Sequence, residues 1–135
     1  MALSRPNPEA LFAHKKVRAQ CLAGDVVGNC VYAHGPKVGD DYVVRTADPA
    51  DAAKMPAFGV IIAKLDATHC WVQVQGENEE LMTGMLLTRP VFVGADGALS
   101  QTLPPAPAFV QFMGTPMAPD TVWLAPNFLM TKQAL

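Results

Sequence analysis

The sequence predicts an all-β protein, a compact barrel or sandwich of about eight or nine short strands. Three observations lead there. Twelve prolines and ten glycines are spread along the 135 residues between short β-branched and aromatic runs, the punctuation of strands joined by turns. The run His69-Cys70-Trp71-Val72-Gln73-Val74-Gln75 alternates with period two. The chain also echoes itself, which argues for two similar β units.

The predicted strands are 15–21, 26–32, 42–46, 58–64, 69–75, 90–93, 108–113 and 121–125, with 127–131 as a last edge strand. Only 49–54, with Ala50, Ala52 and Ala53, can make a helical turn. In 69–75, Cys70, Val72 and Val74 are expected on the core face; the opposite face, with His69, Gln73 and Gln75, is expected to be wet apart from Trp71. The run Phe58-Gly59-Val60-Ile61-Ile62-Ala63 is apolar on both faces and so belongs to a central strand or one covered by a neighbouring subunit. Leu65-Asp66-Ala67-Thr68 reads as a hairpin turn, as does Gly94-Ala95-Asp96-Gly97.

The echo pairs Gly24-Asp25-Val26-Val27-Gly28-Asn29-Cys30-Val31-Tyr32 with Gly84-Met85-Leu86-Leu87-Thr88-Arg89-Pro90-Val91-Phe92, and Pro56-Ala57-Phe58 with Pro107-Ala108-Phe109. Asp66, Thr68 and the pair Trp71-Val72 find counterparts in Asp120, Thr121 and Trp123-Leu124. Neither half is long enough to bury its own core comfortably, so a duplication implies one pseudo-twofold domain over 15–135. Coincidence of turn chemistry is the other account. Residues 1–14 stand apart, with Pro6, Pro8 and then Leu11-Phe12: an extended arm ending in an apolar anchor, or a frayed terminus.

Half the residues are apolar and 16% are charged, a globular composition. Ten basic residues against twelve acidic ones give a net charge of −2 with no basic cluster, which argues against direct nucleic-acid binding. No stretch approaches the apolar length of a membrane helix, and the N-terminal residues lack the pattern of a signal peptide, so a soluble protein made in the cytoplasm is expected. Cys21, Cys30 and Cys70 have no metal-ligand spacing and are expected as buried small apolar residues.

A search for chemistry finds no constellation. His69 and Cys70 are adjacent on a strand and point to opposite faces, so they make no Cys/His pair. His34, Asp40 and Asp41 around Gly35-Pro36-Lys37-Val38-Gly39 fit a turn tip better than a metal loop, and Glu77, Glu79 and Glu80 fit a solvated charge run better than a carboxylate pair. No cofactor, metal or enzymatic activity is expected.

The segments 21–32, 35–39, 47–49, 54–61, 86–94 and 104–107, with the closing Val122-Trp123-Leu124, resemble small structural proteins encoded among the virion genes of tailed phages, over about residues 15 to 130. The resemblance implies a capsid decoration (cement) protein or a head- or tail-fibre module. Decoration proteins of this kind commonly sit as trimers on the capsid exterior and clamp neighbouring capsomers. Under that expectation the partner is the major capsid protein. Leu11, Phe12, Lys15, Lys16 and Arg18 are candidates for capsid contact, and Phe109, Phe112, Met113, Met117 and Phe128 for subunit contact, with ordinary core packing as the other role for these side chains. The alternative is a fibre module binding host-surface carbohydrate, with Trp71 and Trp123 as stacking platforms.

Overall fold

The computed structural model describes residues 14–133, so the expected arm, with Leu11 and Phe12, lies outside the described residues. The chain forms β1 (Lys15–Gln20), β2 (Cys30–Val38), β3 (Asp41–Thr46), β4 (Gly59–Lys64), β5 (His69–Asn78), β6 (Val91–Val93), β7 (Leu99–Ser100), β8 (Phe109–Val110), β9 (Phe112–Ala118), β10 (Thr121–Leu124) and β11 (Thr131–Lys132). The one helical element among the described residues is the 3-10 turn Ala52–Lys54, where Asp51 accepts a hydrogen bond from the Ala53 N–H. The predicted all-β class is the observed one.

Nine strands make one sheet in the order β1-β3-β2-β4-β5-β10-β9-β6-β7. Strand β1 pairs on one side with β3, in parallel, and on the other with β5, antiparallel, which closes the first five strands into a barrel. Strands β8 and β11 pair separately.

Side-chain alternation distributes two cores across this sheet. Ala19, Val31, Val44, Ile61, Cys70 and Val72 fill the barrel. Cys30, Tyr32 and Val60, alternating with them on β2 and β4, point out of it. They meet Val91, Val93, Met113, Val122 and Leu124 of the second half in the larger core. The doubly apolar run at 58–63 is therefore a central strand with a core on each face. The second half lays its own apolar face against the outside of the barrel formed by the first. The β6–β7 turn fastens this contact: Gly97 accepts a hydrogen bond from the Cys30 N–H at 2.7 Å. A Cβ at Gly97, which has φ +84°, would stand 2.5 Å from Thr46 Cγ2 and 2.6 Å from the Ala47 carbonyl oxygen, so only glycine fits there.

The strand order expresses the sequence echo. Within β3-β2-β4-β5-β10-β9-β6-β7, exchanging β2 with β6, β3 with β7, β4 with β9 and β5 with β10 reverses the list onto itself. Val31 and its counterpart Val91, and Val72 and its counterpart Leu124, are all fully buried. The symmetry stops at β1, which has no counterpart.

Several boundaries differ from expectation. Residues 26–29 form a turn, closed by the Asn29 N–H on the Val26 carbonyl at 3.1 Å, and β2 begins only at Cys30 and runs on to Val38. The stretch 108–113 is divided between β8 and β9, β9 continues to Ala118, and the short β7 was not anticipated. The last strand is displaced to Thr131–Lys132 and joins β8, not the main sheet.

Two buried glutamines explain features that hydropathy misses. Gln111 sits at the break between β8 and β9 with no exposure; its Oε1 accepts from the Ala57 N–H at 2.8 Å and its Nε2 donates to the Ala57 carbonyl at 2.7 Å. The side chain thereby stands in for a neighbouring strand. Gln73, expected on a wet face, is 1% exposed. Its Nε2 donates to the Gln75 and Glu77 carbonyls at 3.3 and 3.1 Å, and its Oε1 accepts from Asn78 Nδ2 at 3.0 Å. It braces β5 where the strand leaves the barrel beside Gly76, whose φ is +115°.

Replacing Gln111 by Ala strands two buried main-chain groups, at about 1–3 kcal/mol each. Urea unfolding of Gln111→Ala is expected to show a loss of about 3 kcal/mol, against under about 1 kcal/mol for the exposed replacement Gln75→Ala.

Candidate functional site

Along β5 every second side chain faces away from the barrel lumen, which places Trp71, Gln73 and Glu77 on one outward row. Trp71 lies opposite Arg18 of β1 and Ala63 of β4; Glu77 lies opposite Trp123 of β10, which in turn lies opposite Thr115 of β9. Three clefts follow this row. The first, about 280 Å³, is formed by Trp71, Ile62, Ala63 and Lys16. The second, about 410 Å³, shares Lys16, Ile62 and Ala63 with the first and continues over Gln73 to Glu77, Glu79 and Glu80. The third, about 430 Å³, begins at Glu77 and ends on Trp123, Thr115 and Met117. The first two clefts share Lys16, Ile62 and Ala63, and the second and third meet at Glu77. Trp71 is 37% exposed and Trp123 half-buried. Gln73 lines the second cleft, with its amide already engaged in holding the strand.

A second surface consists of two turns at repeat-related positions. Val26 and Val27 are 55% and 49% exposed, and their counterparts Leu86 and Leu87 are 56% and 57% exposed. Both turns are rigidly held. The buried Asp25 accepts from the Leu22 N–H at 2.8 Å and from Thr46 Oγ1 at 2.7 Å. On the second turn Gln101 accepts from the Leu86 N–H at 2.9 Å and donates to the Leu86 and Arg89 carbonyls at 2.7 and 2.8 Å. Burial follows the same order in each: Asp25 and Met85 point in, and the aliphatic pair that follows points out.

The candidate contact residues are scattered. Lys15, Lys16 and Arg18 are exposed but belong to the barrel strand β1, where Arg18 Nε lies 3.2 Å from Asp41 Oδ1. Met113 is fully buried in the larger core, so its role is packing and it offers no surface to a subunit. Phe109 is half-buried against the same core. Phe112 is 44% exposed and packs on Phe92 with ring centroids 5.1 Å apart. Met117 and Phe128 are exposed. The sequence signal that could have singled out Met113 is its phase: it alternates with Phe112 on β9, so only one of the two can face solvent.

The ionisable groups are placed for structure. His69 Nδ1 lies 3.0 Å from Asp66 Oδ1 and its Nε2 3.7 Å from Asp41 Oδ2. The Asp66 carboxyl is held down at about 2, first by the Thr68 backbone N–H and then by the His69 side chain. Burial and a hydrogen bond with Cys21 push the Cys70 thiol up to about 12, and burial, with Asp96 nearby, raises Cys30 as well. Such thiols stay protonated at neutral pH and are weak nucleophiles. Lys64 Nζ donates to Cys21 Sγ at 3.3 Å and to the Leu22 carbonyl at 2.9 Å. Among the described residues no three His, Cys, Asp or Glu side chains converge to hold a metal ion, and no helix is long and apolar enough to cross a membrane.

Comparison with protein-family models, with curated proteins and with solved structures gave no match for this chain.

A carboxyl whose folded-state value lies below the unfolded ~3.9 stabilises the fold above that pH and ceases to do so as pH falls toward the folded value. An NMR titration of the Asp66 side chain is expected to have its midpoint near 2, and His69→Ala to move it upward. A midpoint near the unfolded value would contradict the geometry of this turn.

Proposed function

We propose that the chain is a non-enzymatic structural protein of a tailed-phage virion that binds the outer surface of the capsid and stabilises neighbouring capsomers, working as a homotrimer with the major capsid protein as its partner. The observation that supports this reading best is the pair of braced turns. Aliphatic side chains held half exposed on turns that several hydrogen bonds fix in place add nothing to the stability of the isolated chain. They do gain when covered, at about 1.5–3 kcal/mol for each side chain fully removed from water. Repetition of the arrangement at two equivalent positions makes it a surface feature of the design and not an isolated exposed residue. Contacts of this size, multiplied over a capsid lattice, accumulate into a large resistance to expansion without any chemistry.

The sequence resemblance to virion structural proteins points the same way, as do the exposed Phe112, Met117 and Phe128, which are available for contacts between subunits. Lys15, Lys16 and Arg18 would adjoin the capsid through the N-terminal segment that leads into β1.

The expected outcome of co-sedimentation with undecorated capsids is saturable binding by the full chain, lost by a version lacking residues 1–14. Leu86→Asp with Leu87→Asp should weaken binding about tenfold or more while leaving the fold intact. Failure of the full chain to bind would overturn the capsid reading, and a monomer at working concentration in sedimentation velocity would overturn the trimer.

A further inference from the structure

Arg89 is the single lysine or arginine between Lys64 and Lys132. Between Glu80 and Asp120 the only other charged residue is Asp96, whose carboxylate accepts from the Ala98 N–H within its own turn. The main chain of Arg89 is fixed: its N–H donates to the Leu86 carbonyl at 3.3 Å and its carbonyl accepts from Gln101 Nε2 at 2.8 Å. Its guanidinium makes no hydrogen bond or ion pair among the described residues. It lines a cleft of about 400 Å³ whose other walls include Pro90, Phe92 and Leu103. A cation among apolar walls calls for an apolar ligand that brings its own carboxylate, because covering the guanidinium without an anion strips its water with nothing in return.

The chain carries such a ligand on another element. Strands β2 and β3 pair as far as Val38 opposite Asp41, which leaves Gly39-Asp40 as a two-residue turn. Gly39 takes the left-handed φ of +61° that such a turn requires at its first position. Every residue from Ala33 to Asp40 is exposed, so this end of the hairpin stands clear of both cores. Val38 is among the most exposed aliphatic side chains of the first half. Lys37 Nζ is turned over the Tyr42 ring, 4.6 Å from its centroid, and Asp41 is engaged by Arg18. The Asp40 carboxylate has no hydrogen-bond or ion-pair partner among the described residues. The acidic run from Glu77 to Glu80 is a poorer match, since the Leu81 and Met82 that follow it are packed against the larger core.

We propose that the β2–β3 hairpin tip of one copy seats in the cleft of the next, with the Asp40 carboxylate on the Arg89 guanidinium and Val38 against the apolar walls. A knob and a cleft on separate elements of one chain make a head-to-tail contact, and three such contacts close a ring. This rests on the homotrimer reading and names the residues that hold the trimer together. Phe112, packed on the cleft wall Phe92, adds apolar surface at the rim. The short turn keeps the tip compact, so little ordering is required when it seats.

The test is sedimentation velocity of the full chain. Arg89→Asp and Asp40→Arg, both at exposed positions, should each weaken the trimer about tenfold or more with the circular dichroism spectrum unchanged. The milder Arg89→Gln and Asp40→Asn should act in the same direction. The double variant carrying Arg89→Asp and Asp40→Arg should recover the trimer, because reversing both charges restores the pair. A trimer undiminished in the single variants overturns the proposal and leaves the trimer reading standing. So does a double variant that stays dissociated when each single variant is folded and dissociated. A wild-type chain that is itself a monomer overturns both. Single variants that remain trimeric but no longer co-sediment with capsids overturn the proposal too, and assign the cleft to the capsid contact.

Discussion

The architecture depends on the double pairing of β1. By hydrogen-bonding to β3 on one side and β5 on the other, this six-residue strand converts one face of the first five strands into a closed lumen. Closure removes the free edges that β3 and β5 would present. It also obliges the remaining apolar positions of β2 and β4 to point outward, because alternate residues on a strand cannot share a face. Cys30, Tyr32 and Val60 then need a cover, and the second half of the chain supplies it. Without β1 the two halves would have equivalent faces and no reason for one to roll up while the other wraps it.

This constraint also accounts for how the repeat survives in one respect and is broken in another. Strand order, turn position and the burial of matched residues such as Val31 and Val91 follow the duplication. Packing does not. The same face that encloses the barrel core in the first half lies over the outside of the barrel in the second, since the second half has no equivalent of β1 to close it. A single additional strand is enough to turn a symmetric ribbon of pairings into a barrel with a wrapped sheet.

Much of the fold was legible because it rests on turn residues and alternation. Gly39, Gly97 and the Asp66–Thr68 segment mark hairpins that form where the sequence puts them, and the apolar run at Phe58–Ala63 is central as its composition requires. What was not legible rests on side chains that act against their type. Gln73 read as a surface residue, yet it is buried, as is Gln111, because their amides satisfy main-chain groups at places where strand pairing is interrupted. Val26 and Val27 read as strand interior, yet a turn braced by Asp25 and Thr46 holds them in solvent. Met113 read as a possible contact, whereas its phase on β9 turns it into the core. For Gln111 the deciding partner, Ala57, lies far away in sequence, and for Gln73 it is a bend of its own strand, so periodicity alone has no access to either.

The same distinction bears on the candidate surfaces. The two tryptophans were noticed as matched residues, but their matched places do not by themselves make a site: what joins them is β5, which begins in the barrel and ends in the wrapping sheet. Trp71 belongs to the first half, Trp123 lies in the second opposite Glu77, and one ten-residue strand serves both. The bend that allows this is held by Gln73 and relieved by Gly76, where a Cβ would stand 2.8 Å from the His14 ring. A packing requirement, carrying one strand across two curvatures, thereby sets how the barrel is joined to the sheet that wraps it.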